Sequence, residues 1–363
     1  MANFFAPAFR VEVNGSQLSA DVSCNVEQIS ITSQPNTLDS FTMTVANPYP
    51  EMRWTHTPDA KLFHEGNGVK IALGYVEDLV DMIDGEITKI SPDFPESGVP
   101  TLEIEGHTRM HWLQGSRNTR TFQQMSDKQI VEKIASENGL EPQAEDPGVQ
   151  YDYVMQPNRS DLDFIRMRAA RIHFEVLVQG KTLIFRKMKE DDQEVYTLVW
   201  GQTQQGLSGP NTFPLQSFTP VLNARNPVSN VNVRGYDPQS KSGILGKGGT
   251  GDQNGNMGGS TKGGDVWSGA FHKPRQLTSV TTPVGSQSEA DEHAKALYND
   301  HAVQTITGQG GTIGLPALRS GTVIMLQGLG PRFSGKYYID QATHKLDGNG
   351  YLTSFSAKRN SSS

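Results

Sequence analysis

Apolar and polar residues alternate with a period of two over much of this chain, and the pattern is clearest near residue 355. From Tyr351 to Lys358, Tyr351, Thr353, Phe355 and Ala357 share one side, and polar residues take most of the other. This alternation predicts a half-buried antiparallel strand. Two more strand-like runs precede it, so residues 321–359 are predicted to form three strands joined by turns.

Residues 68–109 repeat the strand and turn pattern of residues 321–359. In each segment a leucine follows the turn glycine, Gly85 or Gly335, after 17 residues, and a basic residue closes the segment. These matches predict two copies of one β-meander, although strand–turn–strand patterns also arise by chance.

The residues before the first copy alternate as well. Asn14-Gly15 follows one strand-like run and predicts a tight hairpin turn. Phe41, Met43 and Val45 occupy alternate positions of a later run and are predicted to face a core. Residues 1–115 are therefore predicted to form a first tube-like β-barrel domain.

Helix signals replace strand alternation between residues 116 and 205. Ser126 and Gln129 have the spacing of a capping box, and Ser160 is followed by Asp163 at the corresponding position of a second helix. Strand-like runs follow these helices, so residues 116–205 are predicted to form a small α+β domain.

Residues 206–363 are predicted to form a second tube-like β-barrel domain, which also contains a helix beginning at Ser288. Residues 244–264 are nearly all Gly, Asn, Ser, Thr, Asp and Lys. Such a segment has little apolar area to bury, so it is predicted to be a mobile loop. The predicted fold class is mainly β with an inserted α+β unit and two tube-like antiparallel β-barrels per chain.

Composition narrows the classes of protein to which the chain could belong. With 363 residues the chain is long enough for two or three domains. Its formal net charge of −7 disfavours a nucleic-acid-binding surface. Cys24 is the single cysteine, which excludes an internal disulfide. The N-terminus lacks signal-peptide features, and no apolar run is long enough to span a membrane.

Candidate catalytic and metal-binding residues are few. His107 and His111 lie four apart beside a strand, without a third ligand at a clear spacing, so packing or surface histidines are favoured over a metal site. Glu86, Asp93 and Glu96 could supply the carboxylate pair of a glycosidase, but solvent-exposed acidic residues are favoured. We therefore expect no catalytic, cofactor-binding or metal-binding residue.

Two further features have a plain structural interpretation. Cys24 has no basic partner nearby in sequence, which favours a buried or idle thiol. Arg166, Arg168 and Arg171 fit the solvent-exposed side and C-terminal end of their helix. The alternative for the arginines is an interface for acidic partners.

Three segments and one histidine, in this order, resemble the phage late control gene D proteins. They are Tyr151–Arg166, Asn232–Pro238, Gly328–Tyr338 and His344. That family comprises baseplate hub proteins of contractile tails, and it is similar to the hub-like part of the type VI secretion spike protein. The resemblance spans residues 9–359, although no single motif is diagnostic.

The resemblance implies a structural baseplate hub, a homotrimer that adapts the six-fold tail tube to a three-fold central spike. The implied partners are a separate trimeric spike protein, the tail tube or a tube-initiator protein, the tape measure protein and baseplate wedge proteins. The spike is expected to be separate because the sequence stops at residue 363 without a needle-forming part.

The resemblance also implies a location and an absence of ligands. The location is the tail baseplate of a virion or injection particle, assembled in the bacterial cytoplasm. No cofactor, sequence-specific nucleic-acid binding or membrane span is implied. If the negative charge lies in the lumen, it would repel nucleic acid during passage.

Two other classes of protein compete with the hub. One is a tail-associated cell-wall hydrolase, which would give a positive zymogram on peptidoglycan. The other is a β-sandwich receptor- or glycan-binding protein, which would bind on a glycan array.

Overall fold

A computed structural model describes residues 6–47, 62–222, 228–237, 240–266 and 275–362 of the chain. Strands predominate, and the largest sheet contains 13 of them. The fold class is therefore mainly β with an inserted α+β unit, as predicted.

The first part of the chain is a set of antiparallel strands around one core. Its elements are β1 (Pro7–Val13), β2 (Ser16–Gln17), α1 (Ala20–Ser23), β3 (Val26–Ser33), β4 (Ser40–Ala46), β5 (Gly68–Tyr75), β6 (Asp78–Asp93) and β7 (Thr101–Thr108). The strands pair in the order β1-β5-β6-β7-β4-β3, which we call the first strand set. Asn14 and Gly15 have φ of 50° and 79°, so the predicted hairpin turn is confirmed.

The inserted α+β unit follows a short 3-10 helix at Arg109–Gln114. Its elements are β8 (Arg117–Ser126), α2 (Asp127–Glu137), β9 (Glu141–Ala144), β10 (Gln150–Ser160), α3 (Asp161–Ala170), β11 (Phe174–Gln179) and β12 (Thr182–Lys187). Ser126 and Gln129 form the predicted capping box, and the Ser160 side chain accepts from the Asp163 backbone N–H.

The rest of the chain forms a barrel with an insertion. Its elements are β13 (Tyr196–Trp200), β14 (Thr212–Leu222), β15 (Asn230–Asp237), β16 (Ser242–Gly249), β17 (Thr261–Lys262), α4 (Gly263–Val266), β18 (Gln276–Ser279), α5 (Gln287–Ala302), β19 (Ile306–Ile313), β20 (Val323–Gln327), β21 (Gly335–Asp347), β22 (Gly350–Arg359) and β23 (Ser361–Ser362). Two 3-10 turns lie at Gln204–Gly206 and Thr250–Asp252.

Six of these strands close into a barrel. Each strand pairs with the next in the order β13-β20-β21-β22-β19-β14, and β14 returns to β13. The first strand set has no such closure among the described residues, where β1 and β3 do not pair. Leu18 and Val22, which lie between these two strands in the chain, are buried in the same core. The prediction of two tube-like barrels is therefore confirmed for the second and not for the first. The second barrel is not wholly antiparallel as predicted, because β13 runs parallel to both β14 and β20.

Strand β13 pairs with β14 and β20, so it belongs to the barrel although it lies before residue 205. The α+β unit ends with β12 at Lys187. Sheet pairing therefore favours a domain boundary near residue 190, and the division into three domains remains our proposal.

The prediction of a mobile loop at residues 244–264 is wrong at both ends of the segment, where strands form. Residues 242–249 form β16, which pairs with β15 along its whole length, and residues 261–262 pair with β23. Ile244 and Met257 are buried. Sequence composition missed this strand because its glycines are required by packing against α5. A Cβ on Gly246 would lie 2.1 Å from the Ala290 carbonyl oxygen.

Helix α5 begins earlier than predicted. Its N-cap is Ser286, whose side chain accepts from the Glu289 backbone N–H, so Ser288 already lies inside the helix. Both serines are followed three residues later by an acidic residue, and the sequence pattern alone does not choose between them.

Candidate assembly surface

In the described part of the chain, one pair of strands joins the first strand set to the barrel in a common sheet. Strand β3 pairs antiparallel with residues 342–346 of β21, and we call this pairing the joint. Thr32 and Thr343 lie opposite each other, and their hydroxyl oxygens are 3.0 Å apart. The joint makes one continuous sheet in the order β6-β7-β4-β3-β21-β22-β19-β14.

His344 packs beneath the joint as a neutral side chain. Its Nε2 donates to the Leu318 carbonyl oxygen over 2.9 Å, so Nδ1 accepts from the Tyr351 hydroxyl. Burial lowers the pKa of His344 to about 4. This histidine, which the resemblance singled out, therefore supports the core in this fold.

The two strand sets share one strand order. Taken in sequence as first to sixth, the strands are β1, β3, β4, β5, β6 and β7 in one set and β13, β14, β19, β20, β21 and β22 in the other. Both sets have the spatial order first-fourth-fifth-sixth-third-second. They differ at the first strand, since β1 is antiparallel to β5 and β13 is parallel to β20.

A shared β-bulge fixes which residues correspond. The bulge in β6 lies between Ile87 and Lys89, and the bulge in β21 lies between Ile339 and Gln341. Ile87 and Ile339 are buried in their respective cores. The predicted order and direction of the meanders are confirmed. The predicted match of Gly85 with Gly335 is wrong, because the bulges align Gly85 with the buried Tyr337.

The continuous sheet ends in two free edges. Beyond Ile87, β6 pairs only with β7 among the described residues, which leaves an edge at residues 88–93. Beyond Leu215, β14 pairs only with β19 in the same part of the structure, which leaves an edge at residues 217–222. We call these the β6 edge and the β14 edge.

One side of the continuous sheet is predominantly polar. The side chains that alternate with the core residues are mostly hydroxyl and amide groups, and we call this side the polar face. Its polar members are Lys89, Ser91, Asp93, Glu103, Glu105, Ser40, Thr42, Thr44, Gln28, Ser30, Thr32, Gln341, Thr343, Lys345, Ser354, Ser356, Lys358, Thr307, Gln309, Ser217 and Thr219. Two exposed apolar residues, Val221 and Leu352, lie on the same side.

Charges on the polar face nearly balance. The positive charges of Lys89, Lys345 and Lys358 are offset by the negative charges of Asp93, Glu103 and Glu105, with Asp340 at the bulge. Lys89 pairs with Glu105 over 2.5 Å, and Lys358 pairs with Asp340 over 2.8 Å.

The histidine pair singled out in the sequence makes ordinary polar contacts. His107 Nδ1 lies 2.9 Å from the Thr88 hydroxyl, and His111 Nε2 lies 2.9 Å from a Glu86 carboxylate oxygen. Burial lowers the pKa of His107, helped by the neighbouring His111. Within the described ranges, no group of three or more His, Cys, Asp or Glu side chains is arranged to hold a metal ion.

The carboxylates considered as a glycosidase pair lie far apart along one strand. Glu86 accepts from the Trp112 indole N–H over 2.9 Å, whereas Asp93 lies at the far end of β6. Seven residues of extended strand span roughly 23 Å, well beyond the separation of a catalytic pair. Glu96 lies beyond Asp93 in the following loop.

The structure corrects the buried alternative for Cys24 and the solvent-exposed interpretation of two arginines. Cys24 is exposed, and its thiol donates to the Asp21 carbonyl oxygen over 3.2 Å. Arg168 is buried against Asp127, and Arg171 reaches Glu289 of α5, so these arginines are internal contacts of the fold. Arg166 remains on the helix surface beside Asp163.

A cavity of about 400 Å³ lies near the joint, between the first strand set, the α+β unit and the barrel. Asp39, Arg186 and Arg319 are among its lining residues. Burial raises the pKa of Asp39 to about 7, opposed by the Gln34 backbone N–H. Arg186 is paired with Glu175, and Arg319 donates to the Asp81 carbonyl oxygen, so the cationic groups already have protein partners.

Sequence analysis missed the two free edges, although one signal pointed to them. Pro92 lies in β6 and Pro220 lies in β14, both within strand-like runs. Proline within a strand pattern is typical of an edge strand, because it lacks a backbone N–H.

Comparison with solved structures places this fold among phage tail proteins. The 43 kDa tail protein of prophage MuSo2 from Shewanella oneidensis is 12% identical with a TM-score of 0.71, and 98% of each chain is covered. A tail protein from Neisseria meningitidis MC58 is 14% identical with a TM-score of 0.68, covering 98% of this chain and 97% of the other.

The c3393 protein of E. coli is 14% identical with a TM-score of 0.58, covering 96% of this chain and 76% of the other. It is described as a component of the type VI secretion system with structural similarity to the T4 tail proteins gp27 and gp5.

The chain itself belongs to the family described as Alg8 N-terminal domain, whose model matches residues 6–348. No curated protein matches the sequence. Among the described residues, no helix combines the length and apolar character needed to cross a membrane.

Proposed function

We propose that this chain is a structural hub subunit of a contractile tail or injection particle, in which three copies form a ring around a central channel. The observation that carries the proposal is the shared order of the two strand sets, joined edge to edge within one chain. A fold shared with tail proteins supports the same class of function.

The internal repeat gives the ring two symmetries. Three copies with two similar strand sets each present six similar units, and the sequence differences between the sets preserve a three-fold arrangement. Such a ring can contact a six-fold tail tube on one side and a three-fold spike on the other. The tape measure and baseplate wedge proteins are further proposed partners in the same particle.

We assign the polar face to the channel wall. Hydroxyl and amide groups are well hydrated and offer no large apolar or strongly charged patch to a passing chain or nucleic acid. The near balance of lysines and acidic residues does not support an acidic lumen. The formal charge of −7 per chain is therefore carried mainly by other surfaces.

Mass photometry of the purified chain, with negative-stain images, tests the proposal. We expect trimers at micromolar concentration and ring-shaped particles with a central hole. A stable monomer, dimer or tetramer would contradict the hub. A peptidoglycan zymogram is expected to be blank, because the hub needs no hydrolytic site.

A further inference from the structure

The joint within one chain provides a template for contacts between chains. The bulge alignment makes β6 the counterpart of β21. The shared strand order makes β14 the counterpart of β3, and a second pair of bulges aligns Gln28 of β3 with Ser217 of β14. In β3 and β21 the counterpart residues pair with each other. In β6 and β14 the same segments are the two free edges.

Residues of the two free edges are more exposed than the corresponding residues of the joint, as expected if a neighbouring strand is missing there. Ile31 and His344 face each other in the joint and are 2% and 1% exposed. Their counterparts are Pro220, which is partly exposed in the isolated chain, and Pro92, which is exposed. Val221, the counterpart of Thr32, is 52% exposed. A second copy placed as in the joint would cover these residues.

We propose that the β14 edge of one copy pairs antiparallel with the β6 edge of the next. This inference rests on the proposed function, since it specifies how neighbouring copies of the hub meet. Transferring the register of the joint places Leu222 opposite Ile90, Val221 opposite Ser91, Pro220 opposite Pro92 and Thr219 opposite Asp93. The contact repeats from copy to copy and extends the polar face around the ring.

Backbone directions agree with this register. The Gly314 N–H donates to the Tyr351 carbonyl oxygen. Even-numbered residues of β19 therefore direct their backbone N–H and C=O groups toward β22, and odd-numbered residues direct theirs toward β14. Pro220 lies opposite Gly308 and therefore directs its backbone toward the free edge.

The β6 edge follows the same rule. The Asn47 N–H donates to the Pro100 carbonyl oxygen, so even-numbered residues of β7 direct their backbone N–H and C=O groups toward β4. Pro92, opposite Leu102, therefore also directs its backbone toward the free edge. Both central positions of the proposed contact lack an N–H donor. The contact between copies is thus weaker than the joint, and each edge is protected from uncontrolled strand addition.

Cysteine pairs test the contact in the full chain, in a Cys24→Ser background that removes the native thiol. Val221→Cys with Ser91→Cys forms a non-hydrogen-bonded pair in the proposed register, where Cα atoms lie ~4.5 Å apart and a disulfide fits. Thr32→Cys with Thr343→Cys is the matched pair at the joint. Val221→Cys with Lys89→Cys is the out-of-register control, because Lys89 lies on the same side of β6 as Ser91 but two residues away.

After mild oxidation, non-reducing gels should show covalent dimers and trimers, and no larger species, for Val221→Cys with Ser91→Cys. The joint pair should form a disulfide within one chain, so it should lose its free thiols and still migrate as a single chain. The out-of-register pair should give at least tenfold less covalent trimer than Val221→Cys with Ser91→Cys. If Val221→Cys with Ser91→Cys forms trimers by native mass measurement but no disulfides, the proposed contact is overturned and the proposed hub function still stands. Monomers by native mass, without disulfides, would overturn both.

Discussion

At the residue scale, His173 joins three parts of the fold that are distant in sequence. Its Nδ1 lies 2.5 Å from an Asp300 oxygen of α5, and its Nε2 lies 2.9 Å from a Glu190 oxygen after β12. Asn360, near the end of the chain, donates to the second Glu190 oxygen over 3.2 Å. Because both ring nitrogens face carboxylates, the doubly protonated imidazolium satisfies the site.

This arrangement predicts that stability falls at alkaline pH. Burial alone lowers the pKa of His173, but hydrogen bonds to Asp300 and Glu190 outweigh burial and raise it to about 9. The folded pKa exceeds the ordinary value of about 6.5. The stabilisation is therefore fully present below pH 6.5 and is lost as pH rises through 9, on the order of 3 kcal/mol.

Substitution of Asp300→Asn should remove one charge and weaken this pH dependence. We expect a loss of about 1 kcal/mol at pH 7 and a smaller fall in melting temperature between pH 7 and 9.5 than in the native chain. Asp163→Asn, at an exposed pair with Arg166, is the control and should leave the pH profile unchanged. An NMR titration that gives His173 its ordinary pKa would contradict the argument.

Buried ion pairs of this kind mark the limit of sequence analysis at the residue scale. Arg168 and Asp127 pair although they lie 41 residues apart, and the Arg168 guanidinium lies 4.3 Å from the centre of the Tyr151 ring. Helical spacing correctly placed Arg168 near the end of α3. It did not show which side of α3 meets α2, because that depends on tertiary packing.

At the element scale, local chemistry determined which elements were predictable. The capping box at Ser126, the cap at Ser160 and the turn at Asn14-Gly15 form within a few residues, so sequence alone located them. Strand β16 depends on a helix that follows about 40 residues later in sequence, and its glycines resembled a loop. Glycine in a strand also marks close backbone approach, and that is its role in β16.

Close packing of β16 on α5 predicts unequal effects of alanine at two of its glycines. Gly246→Ala would place a methyl group 2.1 Å from the Ala290 carbonyl oxygen, so α5 must move. We expect a loss of about 2 kcal/mol in urea denaturation, as for overpacking. Gly243, in the same strand, has no atom within 4 Å of an added Cβ. Gly243→Ala should change stability by less than about 0.5 kcal/mol, and equal losses at both positions would contradict this packing.

At the scale of the whole molecule, alternation revealed the repeat but not its residue correspondence. Periodicity of two predicted both meanders, and their strand order and direction are confirmed. Matching turn glycines misaligned them, because glycines serve different roles in the two sets. A Cβ on Gly85 would meet the His107 carbonyl oxygen, whereas one on Gly335 would meet the Arg359 side chain. The joint and the free edges arise from pairing between distant segments, which no local pattern specifies.

Edge prolines lead to the last prediction, on the strength of association between copies. Pro92 and Pro220 occupy donor positions of the proposed contact without an N–H to donate. Pro92→Thr or Pro220→Thr restores one donor in a strand-compatible residue. Each should strengthen every contact between copies by about 1 kcal/mol, which is roughly a fivefold lower dissociation constant per contact. Pro283→Thr, in an exposed loop before α5, is the control and should leave association unchanged.

Mass photometry across a dilution series measures the effect of the edge substitutions on association. Unchanged or weakened association in both edge variants would mean that the two edges do not meet at these positions, and open aggregates in place of trimers would contradict a closed ring.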